Sequence, residues 1–538
     1  MPHFVISPDW IKHFLALIAI VILGVFQATS GKEPYQTGRL SSQEQRGKEI
    51  YFGLAGSSGL PIKARIGDPP TEIDGALLSC ASCHGEDGKG KPEGGVVPSD
   101  ITWDALTKPY DVTSSGRTRP AYSERQLISA VCLGVDPAGN KLHAAMPRYQ
   151  MSREDISALT AYLRCLGRDT SPGITDSTMR IGTILPATGP LADSGQAVKS
   201  VLAAYVDELN KQGGIYGRKL QLSVAELSSS PAESIANIER LLKEEQPFAL
   251  VAGLTAGAEK EIVEVCEKNR VPFVGPLTSF TESGYPANRQ TFYLLTGIEQ
   301  QARALIDFTR TSLKESNSRI AVVYSPRDVS LPIVNSITQY CKQSGWQEVV
   351  TVNGKPEGFD SKKLIQKLRR AGVMVTLLLA SDREAGLFAK SAEKIGWMPV
   401  LLIPGSLVTN NLQDLQGGME KSLFLALPSL PSDQTKEGVS EYRVLAERHR
   451  LPDKHIGSQI TAFCSIKVLM EGLKLGGRSV TRERLVTALE GLRDFDTGLM
   501  PKIGFGPNRR IGALGAYIVR WDPDNKQLRP VSGWLRLD

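Results

Sequence analysis

A short run early in the chain combines two thiols with an imidazole. Cys80-Ala81-Ser82-Cys83-His84 is the only C-x-x-C-H run formed by the seven cysteines of the sequence. On one helical turn, thiols at i and i+3 share a face, so both reach the vinyl groups of one porphyrin while the adjacent imidazole meets its iron. A redox dithiol and half of a zinc site are the alternatives, but no second Cys or Cys/His pair at zinc spacing follows. The spacing therefore predicts covalent c-type haem attachment.

A second candidate iron ligand lies downstream of this motif. Glycines in the run Gly85 to Gly90 let the backbone turn tightly past a porphyrin, and Met146-Pro147 follows later in the chain. This arrangement resembles that of class I c-type cytochromes, in which a Met-Pro loop supplies the distal thioether. The resemblance implies one haem c, with Cys80 and Cys83 as thioethers, His84 as proximal ligand and Met146 as distal ligand. His143 is the alternative distal ligand, and a bis-His site would have a lower reduction potential.

The segments around the motif agree with this resemblance. Gln43 to Phe52 is predicted to be the N-terminal helix, with Gly47 where cytochromes of this class pack two helices closely. Ser152 and Asp155 predict a capping box that opens the C-terminal helix, with Asp in place of the usual Glu. The stretch Gly53 to Leu78 is longer than the family usually has before the motif. It is expected to cover the haem edge or to form a docking loop.

The five remaining cysteines lie outside the motif. Cys132 falls on the predicted helix Glu124 to Leu133, and Cys165 falls on the last helix of the same domain. In an oxidising compartment they could form a disulfide, and two buried free thiols are the equal alternative. The other three, which are Cys266, Cys341 and Cys464, lie on separate apolar helix faces and are interpreted as packing residues.

A linker separates this first domain from a second one. Arg168 to Thr178 is rich in small, polar, Pro and Gly residues, and the helix Ser194 to Gln212 follows it. Short apolar runs then alternate with helical stretches, and this alternation predicts a parallel α/β architecture. The predicted strands are Arg180 to Leu185, Leu220 to Val224, Phe248 to Val251, Val271 to Val274, Ile320 to Tyr324, Val373 to Leu379, Val400 to Ile403 and Leu423 to Ala426.

The opening of the second domain carries a family resemblance. The run from Arg180 to Arg218 (RIGTILPATGPLADSGQAVKSVLAAYVDELNKQGGIYGR) is similar to the start of the leucine/isoleucine/valine-binding proteins of ABC transporters. The resemblance extends from about Met179 to the C-terminus. It implies a type 1 periplasmic-binding fold, in which two Rossmann-like lobes joined by a hinge clamp a small solute. Ligands of such parallel sheets lie beyond the carboxyl ends of the strands.

The same resemblance implies which residues bind the solute. Those carried over are Ser194, Thr255, Ala256, Thr278, Ser279, Glu299 and Ser381. Thr255, Thr278 and Ser279 fall where the first lobe offers hydroxyl and N–H groups to an α-carboxylate, and the alternative is that each only caps a helix. Ala256 replaces a serine of the family, so one hydroxyl is absent.

The second-lobe positions depart further from the family pattern. Ser381 stands where the family has a tyrosine, and Glu299 stands where it has an aspartate that contacts the ammonium group. Gly405 replaces the acidic residue that completes this ammonium site. A buried ammonium group without its partners would lose several kcal/mol, so these departures argue against an ordinary α-amino acid as solute.

The N-terminus predicts the compartment. Phe14 to Phe26 (FLALIAIVILGVF) carries no charge, and Lys12 precedes it. This pattern resembles a signal peptide in residues 1–30, because its apolar core is shorter than the roughly 20 residues that a membrane span needs. The alternatives are an uncleaved N-terminal membrane anchor and a buried core helix. Signal peptide and anchor both place the rest of the chain in the periplasm.

Length and composition bound the organisation. At roughly 150 residues per domain, 538 residues predict several folding units. A net charge of +6 over this length does not indicate nucleic acid as a partner. The predicted fold class is multidomain: a small all-α cytochrome c domain followed by a two-lobed α/β periplasmic-binding domain. The predicted boundaries are 1–30 for the leader, 35–168 for the cytochrome, 169–178 for the linker and 179–538 for the binding domain.

These features predict an exported electron carrier joined to a solute-binding domain, coupled to a periplasmic redox or catabolic system. Its expected partners are a small organic solute, a periplasmic dehydrogenase or second cytochrome, and an ABC permease. The alternative is a transport receptor whose cytochrome serves as a redox-sensing or tethering domain. No nucleophile elbow, P-loop or HExxH motif occurs, so catalysis is not indicated. A peroxidase is the weaker alternative, since such enzymes usually need a second haem or an open distal site.

Overall fold

The structure is a computed structural model, and it divides into two compact units, Met1–Thr170 and Ser171–Asp538. It describes residues 40–53, 62–85, 87–90, 92, 95–114, 116–166, 171–282, 288–313, 319–354, 358–360, 362–408, 422–478, 480–522, 525 and 527–537. The predicted signal peptide lies outside the described residues. Among the helices that are described, none combines the length and the apolar character needed to cross a bilayer.

The first unit is built on two helices that pack closely. Its helices are α1 (Ser42–Tyr51), α2 (Cys80–His84), α3 (Trp103–Leu106), α4 (Glu124–Leu133) and α5 (Arg153–Cys165). Ser41 begins α1 with a capping box to Glu44, and Ser152 begins α5 by accepting from the N–H of Asp155 at 3.0 Å. A Cβ at Gly47 would overlap the carbonyl of Ala158, so only glycine allows α1 and α5 to approach this closely. The packing role predicted for Gly47 is confirmed.

Short strands add to this helical core. They are β1 (Lys63–Ile66), β2 (Thr71–Asp74), β3 (Val112–Ser114), β4 (Arg117–Arg119) and β5 (Arg148–Gln150). β1 pairs with both β2 and β5 in antiparallel fashion, and β3 pairs with β4. The described part of the predicted insertion is therefore a hairpin that forms a sheet with the strand after Met146. An all-α domain was expected; the predicted helices are present, and helix α3 and the strands are additions.

The first lobe of the second unit contains a six-stranded, wholly parallel sheet. Its strands are β6 (Thr178–Leu185), β7 (Lys219–Glu226), β8 (Ala249–Val251), β9 (Phe273–Val274), β10 (Thr291–Leu295) and β16 (Ile511–Ala513), in the order β16-β10-β9-β8-β6-β7. Its helices are α6 (Ala192–Lys211), α7 (Pro231–Glu244), α8 (Glu259–Lys268), α13 (Lys436–His449), α14 (Ile456–Gly476) and α15 (Arg482–Glu490). Strands buried on both faces explain the continuous apolar runs in the sequence.

The second lobe contains an eight-stranded mixed sheet. Its strands are β11 (Arg319–Tyr324), β12 (Val349–Asn353), β13 (Val373–Leu379), β14 (Val400–Pro404), β15 (Leu423–Leu427), β17 (Gly515–Asp522), β18 (Gln527–Pro530) and β19 (Leu535–Arg536). The order is β12-β11-β13-β14-β15-β17-β18, with β19 beside β17. Helices α9 (Ile298–Thr311), α10 (Leu331–Gln343), α11 (Lys362–Arg370) and α12 (Asp382–Lys394) complete the lobe. Strand β17 pairs antiparallel with β15, β18 and β19, and a short return joins β17 to β18.

The chain passes between the lobes three times. It leaves the first lobe after β10, returns between β15 and α13, and leaves again between β16 and β17. The segment before β6 is anchored to the first lobe: the backbone N–H of Arg482 donates to Ser171 Oγ at 3.2 Å, and Arg218 Nε donates to the Thr175 carbonyl at 2.6 Å. The part of the predicted linker from Ser171 onward therefore belongs to the second unit.

The structure forms no disulfide among the five cysteines outside the motif. Cys132 and Cys165 are partly buried and unbridged, and Cys165 Sγ donates to the Tyr162 carbonyl at 3.2 Å. Cys266, Cys341 and Cys464 are buried in helices α8, α10 and α14, as expected for packing residues.

Candidate functional site

The C-x-x-C-H motif forms a helix of its own. Ser79 begins α2 by accepting from the N–H of Ser82 at 3.2 Å, and Gly85 ends it with a φ of +74°. Cys80 and Cys83 are both free and stand one helical turn apart. The structure therefore presents both thiols on one turn, as the attachment chemistry requires.

His84 is placed as an iron ligand would be. Its side chain is 8% exposed, and its Nδ1 lies 2.9 Å from the Ser99 carbonyl oxygen. A carbonyl oxygen only accepts, so Nδ1 carries the proton and the neutral ring leaves the Nε2 lone pair free. Burial lowers the pKa of His84, which favours this neutral form. Two free thiols and one available imidazole nitrogen fit a covalent haem.

Two buried tyrosines fix the ends of this helix. Tyr51 of α1 donates from its hydroxyl to the Gly85 carbonyl at 2.6 Å, and Tyr149 of β5 donates to the Leu78 carbonyl. Burial raises the pKa of both phenols above the ordinary value, so they remain donors. The N-terminal helix and the strand after Met146 are thus both tied to the motif.

The two candidate distal ligands differ in their hydrogen bonds. Met146 is half-buried in a turn, and its N–H donates to the His143 carbonyl at 3.0 Å. His143 is exposed, and its Nδ1 accepts from the N–H of Ala145 at 3.2 Å. A neutral ring that accepts at Nδ1 carries its proton on Nε2, so neither nitrogen is free to bind iron. This geometry favours Met146.

One cluster of potential metal ligands occurs among the described residues, and it does not include the motif. Asp207 and Glu208 of α6 meet His449 of α13, with 2.9 Å between Glu208 Oε1 and His449 Nε2. Lys211 and Arg448 already pair with these carboxylates. The hydrogen bond from His449, with the Arg448 pair, lowers the pKa of Glu208 to about 2. The cluster is an ion network that joins two helices.

The first-lobe residues expected to bind solute come together at one edge of the sheet. Thr255 follows β8, and Thr278 and Ser279 follow β9, the adjacent parallel strand. The N–H of Leu277 donates to the Gly253 carbonyl at 2.8 Å, which holds the two loops side by side. All lie beyond the carboxyl ends of these strands, where α/β proteins bind ligands.

Thr255 has the most distinctive environment of this set. It is 2% exposed, and its buried Oγ1 has no hydrogen-bond partner. Thr278 Oγ1 instead accepts from the N–H of Phe280 at 3.0 Å, and Ser194 Oγ donates to Ser458 Oγ at 3.1 Å. Ala256 is exposed. Buried hydroxyls in proteins are nearly always satisfied, so Thr255 offers an open position for a ligand atom.

The second-lobe residues have partners of their own. Glu299 Oε1 accepts from Arg303 at 2.5 Å and from Ser336 Oγ at 2.6 Å, which places this carboxylate between α9 and α10. Ser381 begins α12, and its N–H donates to Asp328 Oδ2 at 3.1 Å.

Gly405 is buried, and its surroundings explain its identity. A Cβ there would approach the Ala426 carbonyl to 2.6 Å and overlap the side chain of Leu427. No longer side chain fits without moving β15, so the acid of the family has no space in this chain.

The sequence analysis did not single out Ser325, which directly follows β11. Its side chain is fully buried, and its Oγ has no partner. A hydroxyl residue that directly follows the apolar strand Ile320 to Tyr324 is a signal that could have found it.

Comparison with known proteins agrees with both units. Residues 178–527 match the family model for periplasmic binding proteins, which covers more than half of the chain. The chain belongs to the periplasmic binding protein family. Ahead of its binding domain this periplasmic binding protein carries a cytochrome c domain, since residues 76–167 match the cytochrome c family. A cytochrome c domain implies covalently bound haem.

The similar proteins include solute-binding proteins. Leu/Ile/Val-binding protein homolog 3 of Brucella melitensis is 23% identical over 345 residues, which cover 64% of this chain and 91% of that protein. Leu/Ile/Val-binding protein BraC3 of Rhizobium johnstonii is 23% identical over 357 residues, covering 65% and 93%.

Solved structures share the fold. A branched chain amino acid ABC transporter protein of Thermus thermophilus with bound valine has a TM-score of 0.54 and 17% identity, covering 68% of this chain and 97% of that one. An ABC transporter substrate binding protein of Aeropyrum pernix has a TM-score of 0.55 and 15% identity, covering 67% and 96%. The second unit is therefore a two-lobed α/β periplasmic-binding fold.

Proposed function

We propose that the protein is an exported carrier of single electrons that also captures a small organic solute, and that it couples the two beside a periplasmic redox or catabolic system. The observation that carries the proposal is the presence, in one chain, of a buried His84 with a free Nε2 and of a two-lobed binding fold. The predicted leader in residues 1–30 would direct the protein to the periplasm. It would then be cleaved off or would remain as a membrane anchor.

The residues of the cytochrome domain have separate roles in this proposal. Cys80 and Cys83 would hold one haem covalently, which supplies one-electron oxidation and reduction. His84 would bind iron through Nε2, with the Ser99 carbonyl fixing its ring and tautomer. Met146 would supply the distal thioether, which raises the reduction potential relative to a second histidine.

The binding domain is proposed to hold its solute mainly through the first lobe. Thr255, Thr278 and Ser279 would bind an acceptor group such as a carboxylate, and the unsatisfied Thr255 Oγ1 supports this. Ser194, Ala256 and Ser381 would line the remaining solute surface. Glu299 is a poor ammonium partner, because Arg303 and Ser336 already hold its carboxylate. Together with the filled space at Gly405, these contacts favour a solute without an ammonium group.

A second candidate function is a transport receptor with a redox-sensing or tethering cytochrome. It is favoured by the similarity to Leu/Ile/Val-binding proteins over 91% of the length of one of them. An ABC permease would then be the partner, whereas the first proposal requires a periplasmic dehydrogenase or a second cytochrome. Neither proposal assigns a catalytic residue to this chain.

Native mass spectrometry of the protein purified from its own periplasm tests the proposal. We expect the mass of the chain with one covalent haem, and a small non-covalent solute that is released on gentle activation. A protein without covalent haem would contradict the electron-carrier role. If the solute retained by the purified protein is a free amino acid, this would contradict the proposed solute class.

A further inference from the structure

We propose that Arg148 is a positioning residue that holds the Met146 loop in the conformation needed for iron ligation. This inference rests on the proposed role of Met146 as distal ligand. Arg148 begins β5, two residues after Met146, and its side chain folds back over the loop rather than pointing away from it.

The guanidinium group binds the loop at three backbone positions. It donates through NH1 to the Met146 carbonyl, and through NH2 to the carbonyls of Leu142 at 3.0 Å and His143 at 3.3 Å. These three carbonyls belong to one short segment, Leu142 to Met146. A planar fork with fixed donor directions can hold them in one arrangement, whereas a lysine ammonium acts as a single point.

No acidic partner competes for this arginine among the described residues. Its cross-strand neighbour is Arg65, and Glu72, which lies opposite Arg65 on β2, pairs with Arg65 and Lys63. Among the described residues, the side-chain hydrogen bonds of Arg148 therefore go to carbonyls of this loop. Such contacts stabilise one conformation of the loop backbone.

The neighbouring backbone leaves space for this side chain. Gly134 ends α4 with a φ of +70°, and a Cβ there would overlap the Arg148 guanidinium. The N–H of Leu142 donates to the Gly134 carbonyl at 2.8 Å, and the N–H of Gly67 donates to the Ala144 carbonyl at 3.2 Å. The end of α4, the turn between β1 and β2, and the Arg148 side chain therefore each form hydrogen bonds with the loop.

The test uses the full-length, haem-loaded protein and two spectroscopic readouts. One is the weak sulfur-to-iron absorption band of the oxidised protein, and the other is the rate at which added imidazole displaces the distal ligand. Arg148→Lys keeps the charge but loses the fork, and Arg148→Met loses both. Arg125→Met, at an exposed arginine of α4, is the matched control.

We expect both Arg148 variants to lose most of the sulfur-to-iron band and to bind imidazole at least tenfold faster, while Arg125→Met matches the unmodified protein. Gly134→Ala, which crowds the guanidinium, should change both readouts in the same direction. Haem content and far-ultraviolet circular dichroism confirm that each variant is folded.

Three results would overturn the inference. One is an unchanged band and imidazole rate in both Arg148 variants. Another is a change of the band and the imidazole rate in Arg148→Met alone, with both unchanged in Arg148→Lys, which would assign only a charge effect to Arg148. The third is a sulfur-to-iron band that is absent from the unmodified protein or persists in Met146→Ala. This last result refutes the distal assignment itself, so it is distinguishable from a failure of the Arg148 role alone.

Discussion

Single hydrogen bonds decide the roles of the two histidines near the haem motif. Nδ1 of His84 faces a carbonyl oxygen and must donate, whereas Nδ1 of His143 faces a backbone N–H and must accept. The first arrangement frees Nε2 for a metal, and the second places the proton on it. The same ring is therefore available to bind a metal at one position and holds a backbone turn at the other.

The distal assignment predicts the effect of Met146→Ala. The variant should lose the sulfur-to-iron band of the oxidised protein, and its reduction potential should fall because the thioether ligand favours the reduced form. Absorption spectra and spectroelectrochemistry measure both. His143→Ala is the control and should keep the band. A haem absorption spectrum that changes in His143→Ala but not in Met146→Ala would reverse the assignment.

The open hydroxyl of Thr255 predicts an unusual pair of effects for Thr255→Val. Removal of a buried hydroxyl without a partner should leave stability unchanged or slightly raised, since nothing in the protein bonds to it. Affinity for the solute retained by the purified protein should fall by about 10-fold to 100-fold, the value of a hydrogen bond to a charged group. Calorimetry measures the affinity.

Thr183→Val is the matched control for this prediction. Thr183 is also fully buried with an unpaired Oγ1, but it lies within β6 rather than beyond a strand end. An equal loss of solute affinity in both variants would contradict the proposal that Thr255 binds the solute.

The sequence alone was sufficient to predict that the residues of the haem motif lie together, because their spacing along the chain determines this. Cys80, Cys83 and His84 are one motif on one helical turn, so their proximity needs no tertiary information. Glu299 is different, because its partner Ser336 lies on another helix and is 37 residues away. The role proposed for Arg148 depends on which backbone carbonyls the fold brings near its guanidinium group, and no local pattern encodes that.

Helices and strands position these residues through close backbone approaches. Gly405 shows this in the second lobe, where β14 and β15 pair so that Gly405 packs against Ala426. We predict that Gly405→Glu, which restores the acid of the family, destabilises the binding domain by about 1–3 kcal/mol through overpacking. It should not create leucine binding.

Urea unfolding and calorimetry with L-leucine check this prediction. Gly457→Glu is the control, because a Cβ at Gly457 of α14 meets no atom within 4 Å. Leucine binding by a stable Gly405→Glu variant would show that the acid was lost for its chemistry and not for lack of space.

The ion network between α6 and α13 predicts a pH dependence. The pKa of Glu208 is lowered from 4.5 to about 2, chiefly by the hydrogen bond to His449. A depressed carboxyl pKa stabilises the fold above the unfolded value and loses this effect as pH falls through the folded value. The stability difference between the unmodified domain and Glu208→Gln should therefore be constant above about pH 5 and shrink between pH 4.5 and 2.

Denaturant midpoints of both proteins across this pH range measure the difference. Glu447→Gln, on the same helix α13 as His449, is the control and should show no such trend. A difference that stays constant down to pH 2 would mean that Glu208 is not stabilised by the network.

Element boundaries followed from the sequence for some of the predicted segments, whereas the largely buried strands β10 and β17 were not predicted. The predicted helix Glu124 to Leu133 and strand Val373 to Leu379 agree with the structure at both ends. Strand Val349–Asn353 was missed because it lies at the sheet edge with partly exposed residues, so its apolar signal is weak. The hairpin of β1 and β2 was missed for the same reason, since it contains mostly polar residues.

At the scale of the whole molecule, three chain crossings join the lobes, and the segment after the cytochrome is anchored to the first lobe. A solute that closed the lobes would act on the unit to which the cytochrome is joined. If the two centres are coupled, thermodynamic linkage requires the effect to be reciprocal: solute shifts the reduction potential, and the redox state shifts solute affinity by the same factor. A tenfold change in affinity corresponds to about 59 mV for one electron.

Spectroelectrochemistry of the full-length protein, with and without the solute recovered from it, is the most direct test of this coupling. We predict a reduction potential that shifts when solute is bound, and a solute affinity that differs between the oxidised and reduced protein by the factor calculated from that shift. An identical potential and an identical electron-transfer rate, at solute concentrations that calorimetry shows to be saturating, would contradict the coupling and leave the receptor with a tethered cytochrome as the function.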